Sequence, residues 1–267
     1  MKAMIFAAGL GTRLKPFTES HPKALLPLAG KTLLQWQIER LKAAGITDIV
    51  VNIHHFGQQI IDYLQQNNGF GCTIQISDER DALLETGGGL LKAAALLGNN
   101  EPVLVCNVDI LSNIAVRDLI AAHEASRGTC TDRTDQTERE RNRLLASVVV
   151  SDRETQRYLL FSDNGELRGW TNIKTGEVRP EGFRLSTFDF RLLAFSGMQI
   201  VEPAFFRELR YTQAEKGDKF SLIDAYLSIV TRQAGVIRAY VPKQYKMMDV
   251  GKIDQLAEAE RFAATLG

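Results

Sequence analysis

Over the first 125 residues of this 267-residue chain, short apolar runs alternate with stretches of helical apolar spacing. That alternation restricts the fold more than any other feature. Residues 4–8, 48–53, 73–76 and 103–108 read as strands. Between them, 32–44 places Leu33, Leu34, Ile38 and Leu41 on one helical face and stops at Gly45, and 58–66, 90–97 and 116–125 also read as helices. Strands separated by helices pair in parallel through right-handed crossovers, so the predicted class is α/β. The pattern then changes. Residues 127–143 are polar and highly charged, without large apolar side chains, and read as a mobile, partly helical loop. Residues 146–150, 158–161 and 167–170, with the turn SDNG between the last two, predict antiparallel hairpins. A buried strand at 192–201 and helices at 220–231 and 253–264 complete the chain. No repeat or flexible linker is visible, which predicts a single domain over 1–267.

Composition excludes several classes. Hydrophobic residues make up 45% and charged residues 24%, ordinary for a globular protein, and the formal net charge is zero, so no basic surplus points to nucleic acid. No apolar run approaches the ~20 residues of a membrane span. The N-terminal run MKAMIFAAG is too short for a signal peptide and leads into Thr12 and Arg13. Cys72, Cys106 and Cys130 are widely spaced and make neither a zinc pattern nor a disulfide framework. A cytoplasmic location is expected.

The loop after the first strand, AAGLGTRLKP from Ala7 to Pro16, combines glycines with cations. Glycines let backbone N–H groups approach a ligand closely, and N–H groups with cations favour phosphate. Two familiar phosphate motifs fail here. The dinucleotide fingerprint needs glycine at 14, which is Leu14, and a P-loop ending at Gly30–Thr32 needs glycine at 25, which is Leu25.

A longer signature fits. GLGTRLKPFTESHPKALLPLAGKTLL, residues 9–34, resembles the N-terminal signature of the sugar-1-phosphate nucleotidyltransferases. It carries the glycine turn, Thr12-Arg13-Leu14, Pro16, Thr18, the PKALLP box with Lys23, and Gly30-Lys31. The resemblance implies a Rossmann-like three-layer fold with a mixed, mainly parallel central sheet and β-hairpin additions. It also implies a nucleotide-binding half at 1–112 and a sugar-phosphate-binding half at 113–267. Its chemistry suits the residues. Backbone N–H groups of the loop can cradle NTP phosphates, Arg13 can neutralise charge on leaving pyrophosphate, and Lys23 can hold phosphoryl oxygens. Arg13 and Lys23 are therefore the predicted catalytic residues. Lys15 reads as a solvated surface cation.

Asp109 stands at the C-terminal end of the buried run VLVCNVD, where ligands of open α/β sheets bind. An acid there can hold Mg²⁺ against phosphate oxygens. Asp109 could instead cap a helix, although Ser112 and Asn113 are at hand for that. In the resembled family a second aspartate in a late D-V-G box completes the metal site, which points to Asp249 of KMMDVGK. The resemblance further implies that the nucleotide is bound by Ala8, Gly9, Gly11, Thr12, Arg13 and Lys23 together with Glu85, Gly87 and Gly88 of ETGGG. Those glycines read as preceding a helix. Gly197 of FSGMQIV and Lys219 of GDKFSLID match the family's sugar boxes. The Glu-Lys-Pro box of many members has no counterpart in 167–177, where Trp170 and Asn172 can line the pocket and Lys174 or Lys219 can replace the missing cation. His54 and His55 point to opposite faces of a strand and read as surface or packing residues, with Asn52 at the pocket edge.

The implied reaction is transfer of a nucleotidyl group from an NTP, UTP first, to a sugar 1-phosphate such as N-acetylmuramate 1-phosphate, with pyrophosphate as co-product and Mg²⁺ as cofactor. Expected partners are these small molecules alone, with no nucleic acid or membrane, in a monomer or small homo-oligomer. Three rivals stand beside it: guanylyl or cytidylyl transfer to mannose or heptose 1-phosphate or phosphocholine, a glycosyltransferase, and an inactive nucleotide-binding subunit. NVD at Asn107–Asp109 lacks the first acid of a D-x-D metal motif, against a glycosyltransferase. The retained acids and lysine argue against an inactive subunit.

Overall fold

KAMIF, the first apolar run, forms a strand whose three central residues are buried. Its neighbour DIVVNI buries every residue after the first, the signature of a strand covered on both faces. The computed structural model describes residues 1–131, 143–181 and 190–266, the side chains of 128–131 excepted. In chain order the early elements are β1 (Lys2–Phe6), β2 (Pro27–Leu28), β3 (Lys31–Thr32), α1 (Leu33–Ala43), β4 (Asp48–Ile53), α2 (Gly57–Gln66), β5 (Thr73–Asp78), α3 (Glu85–Lys92), α4 (Ala94–Leu97), β6 (Val103–Asn107), β7 (Ile110–Ser112) and α5 (Val116–Thr131). Then come β8 (Ala146–Ser151), β9 (Arg157–Phe161), β10 (Leu167–Asn172), β11 (Glu177–Arg179), β12 (Arg191–Val201), α6 (Phe205–Lys216), α7 (Leu222–Arg232), β13 (Ile237–Tyr240), β14 (Met247–Asp249) and α8 (Leu256–Ala264).

The chain divides into two compact units. The first comprises Met1–Leu84, Lys92–Val116 and Gln244–Gly267. Its sheet runs β5-β4-β1-β6 with every pairing parallel. Phe6 pairs with Asn52 on one side and Asn107 on the other, so these strands finish level and present their C-terminal ends together. Helix α1 starts on Thr32, whose hydroxyl accepts from Gln35 N, and buries Leu33, Leu34, Gln37, Ile38 and Leu41. The small ladder β7–β14 is antiparallel, with Met248 opposite Leu111 and Asp249 opposite Ile110.

The second unit comprises Glu85–Leu91 and Arg117–Lys243. Its strands run β11-β10-β9-β12-β8-β13, antiparallel from β11 to β8, with β13 parallel to β8. The predicted hairpin at SDNG is β9–β10, closed by Gly165 N donating to Ser162 O, with Gly165 at φ 78°. On β12 the register shifts between Phe195 and Gln199, and Gly197 within the bulge has φ 73°. Phe205 and Tyr226 are fully buried where α6 and α7 contribute to the core.

The α/β class, with parallel strands early and antiparallel hairpins later, is as the sequence predicts. Several elements differ from expectation: the helix expected over 90–97 is divided at Ala93 between α3 and α4, and β7, β14 and α6 have no counterpart in the sequence reading. The three glycines 87–89 lie inside α3 rather than before it. Helix α5 runs past 125 to Thr131, taking in the start of the polar segment; residues 132–142 of that segment lie outside the described residues.

Candidate active site

Gly11 sets the geometry of the loop after β1. It has φ +61°, and a Cβ there would stand 2.9 Å from Thr18 Cγ2 and 3.0 Å from Lys23 Cβ. Its carbonyl accepts from Leu14 N at 2.8 Å and Thr18 Oγ1 at 2.9 Å. The short 3₁₀ turn Thr12–Leu14 buries Leu14 and leaves Thr12 and Arg13 exposed. Ala8 is buried and Gly9 exposed, with open space where a Gly9 Cβ would be.

Lys23 is the buried cation of this loop. Its side chain is 9% exposed, and Nζ donates to Asp109 Oδ2 at 2.5 Å, with the Asp109 side chain 25% exposed. An ammonium this enclosed needs such a partner, because an unpaired charge is costly to desolvate. Asp109 lies between β6 and β7. Gln37 of α1, fully buried, donates from Nε2 to both flanking carbonyls, Val108 O at 3.3 Å and Ile110 O at 2.8 Å. Gln37 thus pins the backbone on either side of the carboxylate.

Asp249 arrives from far along the chain through β14. Val250 N donates to Asp109 O at 2.9 Å, beside the Asp249–Ile110 pair. Gly251 follows, and a Cβ there would stand 2.8 Å from Asp249 Oδ1 and 2.9 Å from Arg13 Nη2. Glycine at 251 is what lets the Arg13 guanidinium and the Asp249 carboxylate close around the backbone. The first unit therefore brings together Gly11, Arg13, Lys23, Asp109 and Asp249: two cations and two carboxylates around a glycine turn.

The other sequence-predicted residues lie in the second unit. Gly87 N and Gly88 N both donate to Phe220 O, at 2.9 and 3.1 Å, and a Gly87 Cβ would stand 2.5 Å from the Phe220 ring. This satisfies two of the orphan N–H groups at the start of α3 and explains why the helix begins among glycines. It seats the glycine run against Phe220, next to the exposed Lys219. Glu85 opens α3 with φ 62°. Asn172 ends β10, and its Oδ1 accepts from Lys174 N at 3.1 Å in the turn to β11. Trp170 pairs across to Arg179, whose guanidinium carbon lies 5.9 Å from the indole ring centroid. Arg179 Nη2 donates to Asp224 Oδ1 at 2.6 Å, and Ser221 Oγ to Asp224 Oδ2 at 2.6 Å. Burial pushes the Asp224 carboxyl up, but the Arg179 and Ser221 hydrogen bonds outweigh it and hold the carboxyl below its ordinary value.

His54, expected on a strand as a surface or packing residue, lies just past the end of β4, and its Nδ1 pairs with Glu79 O at 2.7 Å. Sequence reasoning missed Gln37 and Gly251. The first looks like any polar residue on a helix. The second is the glycine of the D-V-G box, visible in the sequence but without a stated task. Arg179, followed by Pro180, carried no readable signal because its partner Asp224 is 45 residues away.

The sequence profile of the nucleotidyl transferase family matches residues 2–154. N-acetylmuramate alpha-1-phosphate uridylyltransferase of Neisseria meningitidis serogroup B is 46% identical over 126 residues, 47% of this chain and 53% of the relative. The chain thus spans about half the length of that relative. The enzyme of the same name from Caulobacter vibrioides is 44% identical over 186 residues, 67% of this chain and 75% of the relative. Among solved structures, apo UDP-glucose pyrophosphorylase superposes with a TM-score of 0.74 at 20% identity, covering 99% of this chain and 98% of the other.

Proposed function

The chain belongs to the nucleotidyl transferase family, and from that premise we propose that it transfers a uridylyl group from UTP to N-acetylmuramate 1-phosphate, releasing pyrophosphate. The observation that carries the reading is the meeting of Arg13, Lys23, Asp109 and Asp249 in one unit. The choice of sugar and base is supported by the two relatives of that name.

The chemistry follows from the charges. An oxygen of the sugar phosphate attacks the α-phosphorus, the bond from that phosphorus to the α,β-bridging oxygen breaks, and pyrophosphate carries the electron pair away. A phosphomonoester has its second pKa near ~6, so the nucleophile is already mostly dianionic at neutral pH and no general base is needed. The protein's work is alignment and charge neutralisation. Lys23, held by Asp109, presents its ammonium to phosphoryl oxygens from a fixed position. Arg13, exposed at the rim of the loop, meets the leaving pyrophosphate. Ala8, Gly9, Gly11 and Thr12 line the nucleotide. Glu85, Gly87 and Gly88 serve the base side; Asn172, Gly197 and Lys219 serve the sugar phosphate.

Asp109 and Asp249 suit a magnesium ion. Among the described residues no group of three or more His, Cys, Asp or Glu is gathered as a cage. Two carboxylates, Asp249 at the end of β14 and Asp109 just ahead of its partner strand β7, are the donor set Mg²⁺ favours, since it keeps waters and takes substrate phosphates for the rest. Bound there, the ion would neutralise charge on the phosphate oxygens.

The test is pyrophosphate release with Mg²⁺ across four NTPs and a panel of acceptors: N-acetylmuramate, glucose, N-acetylglucosamine, mannose and heptose 1-phosphates, and phosphocholine. UTP with N-acetylmuramate 1-phosphate should give the highest kcat/KM. A stronger pair of another base and sugar would replace that substrate assignment, and silence across the panel with NTP binding intact would leave a binding subunit.

A further inference from the structure

Glu79 has no solvent exposure, an unusual place for a carboxylate. It sits just beyond β5, its backbone fixed by Glu79 N donating to Ile53 O at 2.8 Å and by His54 Nδ1 on Glu79 O at 2.7 Å. Its side chain is held by neutral donors. Oε1 accepts from Asn52 Nδ2 at 2.6 Å, and Oε2 from Leu84 N at 3.2 Å. Asn52, 2% exposed at the end of β4, passes the connection on: its Oδ1 accepts from Ala7 N at 2.7 Å. Ala7 is the first residue past β1, where the chain enters the glycine loop. Leu84 is the last residue before the positive-φ Glu85 that opens α3.

We propose that Glu79 and Asn52 are positioning residues, a buried hydrogen-bond relay that sets two segments of the nucleotide subsite through the backbone N–H groups of Ala7 and Leu84. The inference rests on the reading of residues 7–9 and 85–88 as nucleotide-contacting. The relay has a polarity that the main chain dictates. Both of its ends are backbone donors, so the two side chains between them must supply three acceptors and one donor. An amide at 52 with a carboxylate at 79 does so. Two amides leave a donor facing Leu84 N–H or Ala7 N–H, and two carboxylates leave a pair of acceptors facing each other. Buried as both residues are, neither mismatch is relieved by water. Among pairings that take up no extra proton, one other satisfies every group: a carboxylate at 52 accepting from Ala7 N and from a glutamine amide at 79, whose oxygen accepts from Leu84 N.

The experiment uses four proteins: wild type, Glu79→Gln, Asn52→Asp and the double Asn52→Asp/Glu79→Gln. For each, the Kd of UTP with Mg²⁺ is measured by calorimetry, the KM values of both substrates by pyrophosphate release, and the thermal midpoint by circular dichroism. Each single variant should raise the nucleotide Kd and KM about tenfold or more, with the sugar-phosphate KM changed less than about threefold. The double variant should return the nucleotide values to within about threefold of wild type, although it carries both changes. Single variants with wild-type nucleotide affinity overturn the proposal, as does a double no better than the singles. If one single variant does not fold, the other and the double make the same comparison; if neither folds, a folded double supports the relay and an unfolded one overturns it. Failure of the functional reading shows separately, as a wild-type protein that releases no pyrophosphate with any substrate pair. In that event UTP titration and thermal midpoints of the four proteins still decide the relay.

Discussion

At the scale of single residues, the candidate site depends on what is small as much as on what is charged. Gly251 has ordinary space except toward two side-chain ends, Asp249 Oδ1 and Arg13 Nη2, both under 3.0 Å from an added Cβ. Side-chain ends can move aside at low cost to the fold, but here they are the proposed reacting machinery. Gly251→Ala should therefore leave the thermal midpoint nearly unchanged and lower kcat at least tenfold, since a displacement of about 1 Å can cost on the order of 10²-fold; an unchanged kcat would remove Gly251 from the site. Asp109→Asn differs in kind. It takes the partner from a Lys23 ammonium only 9% exposed, so turnover should vanish and stability should also fall, by up to about 3 kcal/mol, read by urea denaturation. The charged residues were legible in the sequence because a long motif surrounds them. Gln37 was not, because its value lies in two carbonyls more than 70 residues away.

At the scale of elements, α7 shows one carboxylate serving two structures. Asp224 closes the capping box with Ser221 and also receives Arg179 from the end of β11. Its carboxyl is held below the ordinary value, so its stabilisation is present above the unfolded pKa near ~3.9 and is lost as pH falls through the lower folded value. Asp224→Asn should thus melt below wild type at neutral pH, and the gap should narrow below about pH 4; a gap independent of pH would assign the effect to capping shape alone. Helix α1, with its helical period, and β4 and β12, as continuous apolar runs, were readable from sequence. Three-residue strands are not: β7 and β14 have no period to detect, and their pairing joins Ser112 to Met247. Helix α3 was misplaced because glycine normally argues against a helix, whereas here Phe220 O satisfies its first amides and the Phe220 ring fills the space a side chain would take. Helix α6 went unread although Phe205, Leu209 and Thr212 are buried at helical spacing.

At the scale of the whole molecule, chain order and spatial order part company. The first unit is assembled from three separate stretches, the last being Gln244–Gly267. That stretch carries Asp249, the strand that pairs with β7, and Glu260, whose Oε1 accepts from Ala29 N at 2.8 Å. Deleting residues 244–267 should abolish turnover and lower the midpoint of unfolding, while adding the missing peptide in trans should restore part of both; full activity in the truncated protein would contradict the role of Asp249. A sequence read from left to right suggests two halves divided near residue 112, whereas the ladder between β7 and β14 and the Glu260–Ala29 hydrogen bond tie residues 244–267 to the early part of the chain. That return has a consequence in time. On the ribosome, Asp109 emerges 140 residues ahead of Asp249, which at about 5–20 residues per second is a wait on the order of ten seconds. Through that interval the nascent chain holds Arg13, Lys23 and Asp109 without Asp249, so the proposed chemistry is incomplete until β14 has been made.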